Sequence, residues 1–278
     1  MATSEISKGQ PGSKRLFKDS YLLHKLHSLT GVLPIGMFLI FHFTANAYSL
    51  RGAVEFDTAV KAIGYAPFIL LLEAGVIFLP ILFHAIYGMM IIAEMPGPGG
   101  NVAHYGYERN WLYVMQRWTG VIAIVYLAYH VYDTTALKYY YEAVGGVGSK
   151  ELGFQSISYR AMAWRFANVP YLIFYIIGIT SACLHLGNGL FNFSIRWGLA
   201  IGASAQKASA AIGWTLGGGM ALLGILIAVN FASKGQVDAA KYKDREDFVR
   251  TLVNLNGRTE EQTQPTAPQP DQSRGDKD

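Results

Sequence analysis

Cysteine and charge are the two things that this chain has little of. Cys183 is the only cysteine among 278 residues, so the chain can form no internal disulfide and cannot ligate an iron–sulfur cluster with thiolates of its own. Charged residues make up 15% of the sequence, and the formal net charge is only +4. The basic residues lie beside apolar segments and show no nucleic-acid-binding pattern, so no nucleic-acid partner is expected.

Long apolar segments, in contrast, dominate a chain that is 51% hydrophobic. A helix that spans a bilayer needs roughly 20 mostly apolar residues. Five segments meet this requirement, which predicts an all-α membrane protein with five transmembrane helices. No small-residue cleavage site follows the first segment, so it is predicted to be a retained span and not a signal peptide. The segments are Leu29–Leu50, Ala66–Ala93, Leu112–Leu137, Phe166–Ile195 and Ala208–Phe231.

The sequence divides into a polar arm over residues 1–20, a membrane domain over 21–233 and a polar tail over 234–278. The arm is basic, which places it in the cytoplasm by the positive-inside rule. A short surface helix is expected over Val237–Leu255, and disorder over Arg258–Asp278. The connection at 95–100 is predicted to be a turn from its proline and glycine content. Neither it nor the Gly-rich segment at 145–150 is expected to be a phosphate-binding loop, because no strand precedes them and the spacing does not fit.

Four histidines lie one apiece in the first four apolar segments: His42, His84, His130 and His185. An imidazole in hydrocarbon usually binds something. With helices alternating in direction at about 1.5 Å per residue, His42 and His130 fall in the outer half of the membrane, and His84 and His185 in the inner half. Two pairs at two depths favour a di-haem bundle, because a bis-histidine haem takes one ligand from each of two facing helices.

A haem-free transporter that uses intramembrane histidines as a proton relay is the main competing interpretation. Such a protein would usually carry more acidic and basic side chains within its spans, and helices broken near the midplane. Only Glu73 stands clearly inside a predicted span here. The haem interpretation is therefore favoured.

The residues around the histidines resemble the di-haem cytochrome b558 anchors of succinate:menaquinone oxidoreductase. The likeness runs in order over about residues 20–232, and all four haem-ligand positions of that family are occupied by histidine. The matching segments are LHSLTG at 26–31, FLIFH at 38–42, FLPILFHAIYG at 78–88, RNW at 109–111, QRWTG at 116–120, YHVY at 129–132 and HLGNGLF at 185–191.

This resemblance implies the five-helix anchor of respiratory complex II in a bacterial cytoplasmic (inner) membrane, carrying two haem b groups. A flavoprotein (FAD) subunit and an iron–sulfur subunit would bind its inner face. Electrons would pass from succinate through those partners to the inner haem (His84, His185), the outer haem (His42, His130) and then menaquinone. An anchor of quinol:fumarate reductase remains an alternative, whereas the order of the histidine segments disfavours a hydrogenase or formate dehydrogenase anchor.

Haem propionates need donors near the membrane edge, and four inner-side residues are candidates. For Ser28 and Arg117 the alternative is helix capping or snorkelling. Trp111 is better explained by the interfacial aromatic belt. His24 and His104 are expected at the surface, and His27 is left between a partner contact and a propionate contact. The propionate candidates are Ser28, Arg117, Trp118 and Arg196.

Quinone reduction consumes two protons, so its site needs proton donors that water can reach. Glu73 is predicted to lie roughly 10 Å from the outer surface and is the candidate for an outer quinone site, with a helix–helix hydrogen bond as the alternative. Asp133 follows His130 by three residues and is expected on the same helical face. Related fumarate reductases carry a glutamate two residues before the last haem ligand. Cys183 stands there in this chain, which argues against such a proton path.

Overall fold

The computed structural model describes residues 21–94, 108–144, 149–245 and 247–254. In chain order its helices are α1 (Tyr21–Leu50), α2 (Ala53–Gly64), α3 (Ile69–Ala93), α4 (Arg109–Val144), α5 (Ser149–Gln155), α6 (Tyr159–Phe166), α7 (Val169–Arg196), α8 (Ala203–Lys234) and α9 (Gln236–Lys241). Residues 247–254 are also helical. The predictions for the N-terminal arm, for His104, for residues 95–100 and 145–148 and for Arg258–Asp278 fall outside these ranges.

Five of the helices, α1, α3, α4, α7 and α8, are long and apolar enough to cross a membrane. The described residues contain no strand, so the prediction of an all-α membrane protein with five spans is confirmed. The outer surface of α3 shows why such helices need lipid, because Leu71, Leu79 and Leu82 are each more than half exposed. The hydrocarbon of a bilayer would remove such side chains from water.

Two of the spans contain a π-helical turn close to a proline. The turn Gly31–Gly36 in α1 contains Pro34, and the turn Glu73–Phe78 in α3 directly precedes Leu79 and Pro80. Proline lacks the backbone N–H and its ring clashes with the carbonyl four residues earlier. The wider π turn relieves that clash, and such turns are frequent at functional sites.

Helices α7 and α8 pack closely through small residues. Gly213 and Gly217 of α8 lie against Gly187 and Cys183 of α7: a Cβ on Gly213 would fall within 2.3 Å of the Gly187 carbonyl oxygen, and one on Gly217 within 2.7 Å of the Cys183 carbonyl oxygen. Membrane helices approach this closely only where side chains are small. The buried Cys183 is thus a packing residue between two spans.

The chain forms two compact units. Of the described residues, the first comprises 21–45, 66–94, 108–127 and 176–225, and the second comprises 46–65, 128–144, 149–175, 226–245 and 247–254. The second unit has an aromatic core in which Phe231 lies 5.3 Å from Phe56, 5.1 Å from Tyr159 and 5.6 Å from Phe166, measured between ring centroids. Its helix α5 lies outside the apolar segments from which the spans were predicted, and α6 shares only Phe166 with them.

The described part of the tail contains buried side chains, whereas a surface helix was predicted over Val237–Leu255. Helix α9 ends at Lys241, and the chain becomes helical again at 247–254. There Phe248 and Leu252 pack with Ala161 of α6, and Val249 packs with Tyr141 of α4. Apolar side chains at positions 248, 249 and 252 share one helical face, which the second unit covers.

Candidate haem centres

His84 of α3 is oriented by α1 within the first unit. Its Nδ1 lies 2.9 Å from the backbone carbonyl oxygen of His27 and 3.5 Å from the Thr30 hydroxyl oxygen. Only a protonated Nδ1 can donate to that carbonyl, so Nε2 of the same neutral ring carries a free lone pair. A nitrogen held in this way is suited to bind a metal.

His185 of α7 is oriented by α4 in the same manner. Its Nδ1 lies 3.1 Å from the backbone carbonyl oxygen of Gln116 and 3.3 Å from the Thr119 hydroxyl oxygen. The donor at Nδ1 again leaves the Nε2 lone pair for another partner. The side-chain amide nitrogen of Gln116 lies 3.3 Å from that Nε2, and Asn188 donates to the Gln116 amide oxygen at 2.8 Å.

The structure brings His84 and His185 together, with ring centroids 6.2 Å apart and ring planes at 89°. A metal–imidazole bond is about 2 Å long, so two rings that share one metal have centroids about 6 Å apart. The separation therefore fits a common iron. For a haem to bind through Nε2 of His185, the Gln116 amide must turn away.

Glycines leave room beside both imidazoles. A Cβ on Gly31 would lie 2.5 Å from Cε1 of His84, and one on Gly120 would lie 2.9 Å from Cε1 of His185. Any side chain at either position would push the ring from its place. Each glycine directly follows the threonine that faces the same ring, so the two histidines have similar surroundings.

The structure does not test the pairing of His42 with His130, because His42 belongs to the first unit and His130 to the second. His42 lies beside Phe38, with ring centroids 5.4 Å apart. His130 has its Nδ1 3.3 Å from the hydroxyl oxygen of Tyr175. The outer pair stays a prediction.

The propionate candidates have different surroundings. Ser28 donates to the carbonyl of Lys25 at 2.9 Å and accepts a hydrogen bond from the Trp197 indole at 3.1 Å. Arg117 donates to the carbonyl of Ile92 at 3.2 Å. Trp118 is 52% exposed and Arg196 is exposed as well, so these two face outward from the first unit, as does Trp111.

Glu73 and Asp133 differ sharply in their environments. Glu73 is half-buried at the first position of the π turn in α3. Asp133 is 1% exposed and lies between two guanidinium groups, 3.2 Å from Nη1 of Arg165 and 2.5 Å from Nη2 of Arg245, while Tyr171 donates to it at 2.7 Å. Burial alone would lower the pKa of Arg245, but the Asp133 carboxylate raises it. Asp133 thus belongs to a structural ion pair with Arg165 and Arg245, to which Tyr171 adds a hydrogen bond.

A cavity of about 620 Å³ adjoins this ion pair in the second unit. Arg165 and Arg245 line it together with aromatic side chains of α4 and α7, Tyr129, Tyr171 and Phe174. Tyr171 stacks on Tyr175 with ring centroids 4.4 Å apart. Tyr175 therefore contacts both His130 and the wall of this cavity.

Comparison with known proteins decides the family. The chain is 34% identical over 189 residues to the succinate dehydrogenase cytochrome b558 subunit of Bacillus subtilis (strain 168), a match that covers 68% of this chain and 86% of the relative. The chain belongs to the succinate dehydrogenase cytochrome b558 subunit family. No family model matches the sequence.

In this cytochrome b558 family member, two histidines of α1 have contacts that were not predicted: His24, expected at the surface, and His27, expected to contact a partner subunit or a propionate. Nδ1 of His24 lies 3.0 Å from the Tyr87 hydroxyl oxygen. The ring of His27 stacks on His84 at 3.9 Å between centroids, so this half-buried imidazole contacts a proposed ligand. Sequence reasoning missed both contacts, because they join α1 to α3 across a long separation in the chain.

The sequence also did not predict four other neighbours of the site: Gln116, Thr30, Thr119 and Trp197. One signal for two of them was present in the sequence: a Thr-Gly pair occurs in both α1 and α4, at 30–31 and 119–120. Each pair precedes the proposed histidine of its own helix by a similar distance. Taken alone, however, Thr-Gly is too common in membrane helices to mark a site.

Proposed function

We propose that this chain is the membrane anchor of a succinate:quinone oxidoreductase and that it connects an iron–sulfur subunit to menaquinone through two bis-histidine haem b groups. His84 and His185 would hold the inner haem, and His42 and His130 the outer one. The observation that carries the proposal is the facing pair of His84 and His185, whose Nδ1 atoms both lie near backbone carbonyls.

When bound, the haems supply reversible one-electron iron chemistry. The chain's own residues have three tasks. The carbonyls of His27 and Gln116 hold the inner imidazoles in the Nδ1–H tautomer, Gly31 and Gly120 leave room for the rings, and the spans exclude water. Two histidines would hold each haem iron, and such a site would be suited to electron transfer.

The outer pair is proposed on sequence position and on the environment of His130. Tyr175 faces Nδ1 of His130 at 3.3 Å, where its hydroxyl oxygen can accept from Nδ1–H and hold the ring in that tautomer. Thr134 donates to the His130 carbonyl at 2.6 Å. The hydrogen-bonded carbonyl and ring would together fix the orientation of this ligand.

The inner face is proposed to dock a flavoprotein (FAD) subunit and an iron–sulfur subunit, with the N-terminus in the cytoplasm of a bacterium and the spans in its inner membrane. Around this face the cation of Lys25 lies 4.7 Å from the ring centroid of Trp197, which in turn donates to Ser28. We propose that Ser28, Arg117, Trp118 and Arg196 serve the inner propionates, either directly or by orienting a neighbour.

Paired substitutions of the ligands test the proposal. His84→Ala and His185→Ala are expected to remove the same spectral component, one haem per chain, whereas His42→Ala and His130→Ala remove the other. His24→Ala is the control, because His24 contacts Tyr87 and is no proposed ligand. Loss of different components by the two members of a pair would overturn the assignment.

Glu73 is proposed to help form or protonate the quinone site on the outer side. Its position is half-buried and interrupts the regular helix with a π turn, a feature frequent at functional sites. Glu73→Gln should abolish most quinone reduction by succinate in the assembled complex while both haem signals persist. Glu94→Gln, at the end of the same helix, is the matched control. Normal quinone reduction by the Glu73→Gln complex would defeat the assignment.

A further inference from the structure

We propose that Thr30 and Thr119 are positioning residues for the inner haem ligands, each supplying a second acceptor to the Nδ1–H of a histidine. The inference deepens the proposed function and rests on it. It concerns two hydroxyl groups that touch the imidazoles from the side opposite to the iron-binding nitrogen. Their expected effect is on the reduction potential and retention of the inner haem.

The hydroxyl protons of both threonines are already committed to the backbone. Thr30 donates to the carbonyl of His27 at 3.0 Å, and Thr119 donates to that of Met115 at 2.7 Å. A hydroxyl oxygen has two lone pairs besides its single proton. Each oxygen is therefore left as an acceptor, at 3.5 Å from Nδ1 of His84 and 3.3 Å from Nδ1 of His185.

The same three-part register occurs on two different helices. In α1 the carbonyl of residue 27, the hydroxyl of residue 30 and the glycine at 31 face His84. In α4 the carbonyl of residue 116, the hydroxyl of residue 119 and the glycine at 120 face His185. Positions i, i+3 and i+4 share one face of a helix, so the repeat presents carbonyl, hydroxyl and open space to each ring in the same order.

This arrangement has a chemical consequence for the ligand nitrogen. Two acceptors polarise the Nδ1–H bond more than one acceptor does. The added electron density on the imidazole makes Nε2 a stronger electron donor. A stronger donor stabilises the more positive oxidation state of iron. The two threonines should therefore lower the reduction potential of the inner haem and tighten its attachment.

The test compares valine and serine at both positions in the full complex. Valine has the shape of threonine without the hydroxyl, and serine keeps the hydroxyl without the methyl group. Thr44→Val is the matched control, since Thr44 lies in the same helix as Thr30 and donates to the Ile40 carbonyl. Thr119→Ala replaces Thr119→Val should the latter not accumulate. The inner component is identified as the one lost in His84→Ala.

Redox titration and haem retention in detergent are the readouts. Thr30→Val and Thr119→Val should each raise the midpoint potential of the inner haem, leave the outer one unchanged and weaken haem binding about 10-fold. Serine at either position should restore the parental potential, and Thr44→Val should match the parent. An unchanged potential in both valine variants would overturn the inference, as would a shift that serine fails to restore. A parent complex without haem would instead overturn the proposed function.

Discussion

Replacement of Gly31 or Gly120 by alanine tests most directly whether these glycines leave room for the inner histidines. The new Cβ would lie 2.5 Å from Cε1 of His84 in the first case and 2.9 Å from Cε1 of His185 in the second. Carbon atoms in favourable contact are about 3.5–4.0 Å apart. Each ring must then move by roughly 1 Å or rotate. Either change would disturb the orientation that the imidazole needs to bind iron.

The expected loss of haem affinity follows from the free-energy cost of placing the new methyl group against the ring. Inserting a methyl group into a closely packed site typically costs about 1–3 kcal/mol, which corresponds to roughly 5- to 150-fold weaker haem binding. Haem content per chain, measured after detergent extraction and gel filtration, should fall in both variants at the inner component alone. The backbone folds as a helix with either residue, and alanine is the better helix former, so global stability should hold.

Two other glycines provide matched controls. A Cβ on Gly75 of α3 or on Gly218 of α8 would meet nothing within 4 Å in the described structure. Gly75→Ala and Gly218→Ala should therefore keep both haems at parental level. Full inner-haem content in Gly31→Ala and Gly120→Ala would refute the idea that these glycines make room for the ligands.

Three further predictions concern the scaffold. Asp133→Asn leaves the buried Arg165 and the partly exposed Arg245 without their carboxylate partner and should lower the free energy of unfolding in detergent by about 3–5 kcal/mol. Asp238→Asn, in a partly exposed ion pair, should lower it by less than about 1 kcal/mol. Equal losses would contradict a structural role for Asp133. Burial raises the pKa of Asp57. Between the usual carboxyl pKa and this raised pKa, the folded chain keeps a proton that the unfolded chain releases. The stability that protonated Asp57 contributes at low pH is therefore lost as pH rises through the raised pKa. Asp57→Asn should remove that fall, as measured by denaturant titration across this window, and an unchanged pH profile would count against it. Gly213→Leu should separate α8 from α7 and reduce the yield of folded protein, while Gly218→Leu, in open space, should not.

The spans were predictable because their signal is hydropathy, but their ends were not. Helix α1 begins at Tyr21 and includes His24 and Lys25, whose polar side chains lie outside the apolar segment although they continue the helix. Helix α4 runs on to Val144 in the same way. Hydropathy reports where lipid contacts the chain and not where backbone hydrogen bonds stop.

The four histidines could be proposed as ligands from their type and spacing, and that assignment stays a prediction, whereas the residues that surround them could not be predicted. Thr119 and Gln116 orient His185 from another helix, and nothing in local sequence states which helices are neighbours. Asp133 was expected beside His130 on one face of α4, yet its function is set by Arg165 and Arg245, which come from distant segments. Long-range pairing of this kind requires the fold.

The proposed function depends on the binding of two haem b groups by four histidines. The most direct measurement is a dithionite-reduced minus oxidised optical spectrum of the purified chain, combined with quantitation of haem and polypeptide. Two b-type haems per chain, partly reducible by succinate once the partner subunits are present, are predicted. A folded chain that binds no haem would contradict the claim and favour a transporter that uses intramembrane histidines.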